Sequence, residues 1–182
     1  MQNAIGMVEV NSIAKGIYIA DQMLKRSEVE VVTCSTVCPG KYISVVHGLV
    51  AAVKESVEKG VEDAGTFLVD SIVIPNVHPG VFPAIVGASS PEHIQAIGIL
   101  ESYSLSAMVI AADAVLKAAE LEAVEIRLGT GLGGKAFFVF TGEVAAVKTG
   151  IEVGSESIGE KGLLVNAEII PGPSAKLIPT LL

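Results

Sequence analysis

Apolar residues in this chain fall into short runs with two kinds of spacing, and the spacing predicts the elements. Ala4 to Val10 is apolar apart from Gly6 and Glu9, the pattern of a short buried strand. Ser12 follows as an N-cap. Ile13, Ile17, Ala20 and Leu24 then recur at helical spacing, which predicts a helix with those four residues turned inward. Glu30 to Cys38 and Tyr42 to His47 flank Pro39-Gly40, as two strands around a tight turn would. Val50, Val53 and Val57 mark a second helix, and Thr66 to Ile74 a closing strand. The order β-α-β-β-α-β predicts an α+β fold of the ferredoxin-like kind, an antiparallel sheet with helices packed on it.

The same series then returns. Ala96-Ile97-Gly98-Ile99-Leu100-Glu101 repeats Ala4-Ile5-Gly6-Met7-Val8-Glu9 at a distance of 92 positions, and Ala112-Asp113 and Leu116-Lys117 repeat Ala20-Asp21 and Leu24-Lys25 in that register. Gly134-Lys135, the run Val144 to Lys148 and Gly159 repeat Gly40-Lys41, Val50 to Lys54 and Gly65 at a distance of 94. Ile170-Pro171 and Pro179 repeat Ile74-Pro75 and Pro83 at 96. The second copy has therefore gained residues between Val124 and Gly134 and again after Gly159, where turns are expected. Its helix faces are Leu105, Val109, Ala112 and Leu116, then Val144, Val147 and Ile151. Its later strands run from Ala123 to Leu128, Ala136 to Thr141 and Gly162 to Ile170. The chain thus reads as two tandem domains, residues 1–88 and 94–182, with a linker across residues 86–95. In a duplicated chain, the mismatches between copies are where function is sought.

A chain of 182 residues that is 51% hydrophobic can fill two small cores. Mean hydropathy is +0.61, yet no apolar run reaches the roughly 18 residues of a membrane span. The longest, Leu105 to Leu116, is cut by Asp113. The surplus apolar surface is expected between subunits, because obligate interfaces resemble a core cut in half. A net charge of −8, without clustered Lys and Arg or interleaved aromatics, argues against a nucleic-acid partner. Met1-Gln2-Asn3 does not open a secretory signal, and two cysteines fit a reducing, cytosolic compartment.

Gly129-Thr130-Gly131-Leu132-Gly133-Gly134-Lys135-Ala136 matches the spacing of two phosphate-binding loops. Both need a helix directly after the glycines, and Ala136-Phe137-Phe138-Val139-Phe140 is a strand by composition. A close backbone approach, as at a pore or symmetry axis, accounts for the glycines better. Cys34 and Cys38, about 13 Å apart on an extended strand, are too far apart for a disulfide. Cys34 is expected as a small packed hydrophobe, whereas Cys38 sits at the turn, where a thiol is presented. One such thiol per chain can bind metal only together with symmetry mates. His47, His78 and His93 have no ligand partners at metal spacing, and Glu9 and Glu101, present in both copies, fit a structural role. No nucleophile and base are paired.

The repeated Ala-Ile-Gly strand start, the helix ending in Leu-Lys, the Gly-Lys turn, the Val-Ala-Ala-Val-Lys run and the closing Ile-Pro resemble the bacterial microcompartment shell domain, twice over nearly the whole chain. With Ser12-Ile13-Ala14-Lys15-Gly16, Cys38-Pro39-Gly40-Lys41 and Gly159-Glu160-Lys161-Gly162-Leu163-Leu164-Val165, the chain is similar to tandem-domain shell subunits of the propanediol-utilisation type. The resemblance implies a structural protein, not an enzyme, in the shell of a cytoplasmic microcompartment. It implies a homotrimer that imitates a hexameric tile, with a central pore lined by Val37, Pro39, Gly40, Thr130, Gly131, Leu132 and Gly133. It further implies an iron–sulfur cluster of the 4Fe-4S kind held by Cys38 of three subunits, for electron transfer across the shell or redox sensing. Six identical domains would bring six thiols to an axis, whereas a doubled chain brings three, leaving one iron to water or an exchangeable ligand. Tile-edge contacts to other shell proteins through Lys25 and Lys117, and a redox enzyme of the lumen as partner, complete what it implies. Asn76 and Gly172 depart from an arginine that many single-domain members carry after the Ile-Pro. A plain metabolite pore with Cys38 free, or a small-ligand regulatory protein of tandem ferredoxin-like fold, are the competing readings.

Overall fold

The computed structural model describes residues 3–91, 93–159 and 162–181. The expectations touching Met1, Gln2, Glu92 and the Glu160-Lys161 part of the second insertion lie outside them. The chain divides into two compact units, Met1–Val77 and His78–Leu182. In the first, β1 (Asn3–Val10), α1 (Ile13–Arg26), β2 (Glu30–Val37), β3 (Lys41–Leu49), α2 (Val50–Ala64) and β4 (Leu68–Ile74) come in the predicted order. After a short helix α3 (Val81–Ile85), the second unit repeats them as β5 (Ala96–Ser102), α4 (Leu105–Ala118), β6 (Glu122–Leu128), β7 (Ala136–Gly142), α5 (Val144–Gly159) and β8 (Leu164–Ile170). Each sheet is antiparallel, ordered β2-β3-β1-β4 and β6-β7-β5-β8.

The likeness of the units reaches their irregularities. The pairing of β2 with β3 slips between Val31 and Thr33, and that of β6 with β7 between Ala123 and Glu125. A second slip falls between Glu9 and Val10 in one sheet and between Glu101 and Ser102 in the other. Bulges re-aim side chains and are not accidents of packing, so the copies share detailed geometry as well as pattern.

Helix entry matches the predicted capping. Ser12 Oγ accepts from Lys15 N–H at 3.4 Å and Ser104 Oγ from Ala107 N–H at 3.1 Å, which satisfies donors that a helix start leaves open. The inward face of α1, however, is Gly16, Ile19, Ala20 and Met23, which shares only Ala20 with the expected set. Ile13, Ile17 and Leu24 point outward at 40%, 56% and 38% exposure. The reason is contact distance. A Cβ on Gly16 would stand 2.4 Å from Tyr42 Cβ, so the helix lies on Tyr42 through its one residue without a side chain. In α4 both faces are buried, including all four expected residues. In α5 the buried line is Val147, Gly150, Gly154 and Ile158, and Val144 is exposed.

Residues 78–88, expected with the first domain, belong instead to the second unit, where α3 packs on β6 and α4. Val81 and Ala84 are fully buried there. The expected linker begins directly after α3, and its first residues, 86–88, are exposed.

In the second core Phe138 and Phe140 stack at 5.0 Å between ring centroids, and β5 passes beneath them at Gly98. A Cβ on Gly98 would meet the Phe140 ring at 2.3 Å. We expect Gly98→Ala to destabilise the chain by about 1–3 kcal/mol, the usual cost of overpacking. Gly172→Ala, which meets nothing within 4 Å, should change stability by less than about 0.5 kcal/mol. Urea unfolding of the two variants measures the contrast.

Candidate functional site

The turn between β2 and β3 is short because the pairing closes immediately, with Val37 opposite Lys41. Val37 is buried within the single chain, so its side chain anchors the turn. Pro39 and Gly40 are exposed and Cys38 is half-buried, with a free thiol. The Cys38–Pro39 peptide is cis and Gly40 has φ +71°, a conformation that favours glycine.

Lys41 leaves the turn and its Nζ pairs with Glu9 Oε1 on the neighbouring strand. The Glu9 side chain is 3% exposed and that of Lys41 19%. A carboxylate this far from water is costly unless paired, so the lysine is held, and the turn with it. Glu9 is therefore structural, as the repeat implied.

The second unit builds the same support under a different tip. Lys135 pairs with Glu101, but the side chains are 37% and 33% exposed. The Glu101 hydrogen bond raises the Lys135 pKa above its ordinary value. Between Leu128 and Lys135 the chain makes a loop in which Gly129, Gly131, Gly133 and Gly134 all have positive φ. Thr130, Gly131 and Gly133 are exposed and Leu132 is half-buried. The loop leads into the strand β7 and not into a helix, so the phosphate-loop match fails its structural requirement.

Cys34 stands on β2 opposite Ser44 and packs against the first core. Burial pushes its thiol pKa up, beyond the opposing pull of hydrogen bonds to Ser44 and the Val45 backbone. The histidines are dispersed. His47 Nε2 lies 3.3 Å from Glu30, and His78 Nδ1 accepts from Gly80 N–H at 3.2 Å. Among the described residues no three His, Cys, Asp or Glu side chains gather to hold a metal within one chain. No described helix is long and apolar enough to cross a membrane. Lys25 and Lys117 sit in the last turns of α1 and α4, paired with Asp21 at 2.6 Å and Asp113 at 2.7 Å. Asn76, where the arginine was absent, adopts φ +53°.

Sequence reasoning missed α3 and its seat. His78 N–H donates to Asp113 Oδ1 at 2.7 Å, a bond between distant positions that no spacing announces.

Fold and loops together define a tandem-domain protein whose two units share one support and differ at one tip. A profile of the BMC domain matches residues 4–77 and again residues 96–173. The chain is 44% identical over 173 residues to the bacterial microcompartment shell protein PduT of Citrobacter freundii, spanning 95% of this chain and 94% of that one. It is 36% identical over 186 residues to the carboxysome assembly protein CcmO of Synechocystis sp., spanning 93% of this chain and 61% of that one. The crystal structure of a microcompartments protein from Desulfitobacterium hafniense DCB matches with a TM-score of 0.94 at 43% identity, over 98% of this chain and 99% of that one. The chain belongs to the BMC domain family, the structural shell proteins of bacterial microcompartments, and carries the domain twice.

The geometry leads to two measurements. Lys41→Met should cost about 3–5 kcal/mol by stranding the buried Glu9 carboxylate, while Lys135→Met should cost clearly less because water reaches Glu101; denaturant unfolding compares them. Cys34 holds its proton more tightly folded than unfolded, so its contribution to stability is full below the ordinary thiol range and fades as pH rises through the raised value. Alkylation coupled to mass spectrometry near pH ~8 should label Cys34 of the native chain more slowly than the same residue in urea.

Proposed function

We propose that the chain assembles as a homotrimer that takes the place of a six-domain tile, its Cys38 turns and glycine loops alternating around a central pore. One observation carries this. Two units alike down to their bulges differ at the β2–β3 connection, where one offers Cys38-Pro39-Gly40 and the other Gly129 to Gly134. Alternation of that kind halves the number of thiols at an axis.

The donor set fits an iron–sulfur cluster shared between chains. Thiolates are its usual ligands, each chain offers one at an exposed turn, and a side chain begun at Gly40 would meet nothing within 4 Å. Cys38 would bind, Pro39 and Gly40 would allow close approach, and the Glu9–Lys41 pair would hold the turn. A bound cluster would supply one-electron chemistry, for transfer across the shell to a redox enzyme of the lumen or for redox sensing. Lys25 and Lys117 are proposed to contact other shell proteins at tile edges, in a compartment lying in the cytoplasm.

Iron and acid-labile sulfide measured after anaerobic reconstitution test the proposal. Wild type should hold about four irons per three chains, and Cys38→Ser should lose them. A wild type without iron would leave a pore for metabolites with Cys38 free. Iron retained by the variant would remove Cys38 as the ligand.

A further inference from the structure

One carboxylate changes its surroundings between the copies. In the first unit Glu30 stands opposite His47, and its carboxylate lies 3.3 Å from His47 Nε2. The same place in the second unit pairs Glu122 with Thr141. Thr141 is fully buried, and its hydroxyl donates to Ala96 O at 2.7 Å. The exposed side chain of Glu122, on the edge strand β6, is left without a hydrogen bond or ion pair among the described residues.

That side chain lines a cavity of about 260 Å³ between β6 and the segment that opens the second unit. His78 is fixed there twice, its N–H donating to Asp113 Oδ1 at 2.7 Å and its Nδ1 accepting from Gly80 N–H at 3.2 Å, so the imidazole forms a set wall. Ala88 N–H donates to Pro83 O at 2.8 Å, and the chain held in this way brings Ser89 and Ser90 into the lining. Neither serine hydroxyl has a hydrogen-bond partner among the described residues. Pro83, Pro91 and Leu121 supply apolar walls, and Glu122 is the one charged side chain of the lining. Apolar walls with a few placed polar groups are the usual make-up of a small-molecule site, and this volume lies just under the range for drug-sized ligands. The cavity opens at the start of β6, six residues and roughly 20 Å along the strand from the glycine loop.

We propose that this cavity binds a small primary ammonium compound. An ammonium carries three N–H donors and no acceptor, and the cavity offers three unused acceptors in the Glu122 carboxylate and the hydroxyl oxygens of Ser89 and Ser90. The short carbon chain of such a ligand lies against Pro83, Pro91 and Leu121. Charge decides the class. The lining is negative, so an anion is repelled, while a neutral alcohol makes hydrogen bonds without Coulomb attraction. Every lining residue belongs to one unit of one chain, so the site needs neither the trimer nor the cluster proposed above. It adds a small-molecule site remote from both loops.

Saturation-transfer NMR titrations of the full chain with n-butylammonium, 1-butanol and butyrate test the site. Wild type should bind the ammonium saturably and about tenfold or more tighter than butanol, and should not bind butyrate. Glu122→Gln should weaken ammonium binding about tenfold, as loss of a charged hydrogen-bond partner does. Glu30→Gln removes the same charge at the matching place of the first unit and should leave binding unchanged. Ala88→Phe fills the cavity from its rim and should abolish binding. All three positions are exposed, so circular dichroism and melting should match wild type. Ammonium bound no tighter than butanol, or as tightly by Glu122→Gln as by wild type, overturns the cation site. Equal weakening by Glu30→Gln overturns it in favour of general surface charge, and binding that survives Ala88→Phe overturns the cavity.

Discussion

Each unit has one four-stranded sheet and two long helices to lay on it, and that geometry can bury one face of its first helix. The helix has two apolar faces. In α1 the small and flexible residues Gly16, Ala20 and Met23 go inward with Ile19, leaving larger branched side chains outside. In α4 both faces are closed, partly by residues that come after the first unit's last strand. Residues 78–88 lie on α4 and β6 of their own unit, while the apolar side chains left exposed on α1 match the high mean hydropathy of a chain without a membrane-spanning helix among its described residues. An obligate assembly is the expected outlet for such surface.

The supports of the two loops differ in strength for a reason that magnitudes decide. Both units pair a strand glutamate with a lysine just past the loop, but Glu9 is nearly inaccessible and Glu101 is a third exposed. Exposed ion pairs contribute little, and buried ones are expensive to break. The stiffer support lies under the turn that carries Cys38, the tip whose position must be reproducible if three chains are to present one thiol each to a common point. The glycine loop has the weaker support and four positive-φ residues, and it offers backbone instead of a ligand.

Most of the fold was legible in the chain itself. Periodicity placed eight strands and four long helices, Ser12 capped where it was expected to, and the order of elements implied the antiparallel sheets. The errors are specific. The α1 face was misjudged because the largest apolar residues were assumed to point inward, whereas Tyr42 demands the glycine. Residues 78–85 were grouped with the first domain, whereas the packed turn carries Val81 and Ala84 into the second unit. In the candidate site, Cys38 and the glycine loop could be found from the mismatch between copies, while the bond from His78 to Asp113 could not, since it joins elements that only folding brings together.

By itself the sequence determined the duplication, the element order, the family resemblance and the loop at which the copies differ most, because periodicity, capping and turn chemistry are local and survive in a linear string. Tertiary structure decided which face of each helix is buried, which glutamate is desolvated and where residues 78–88 belong. Those outcomes depend on which surfaces meet, and the free energy of burial is a property of the meeting, not of either surface alone.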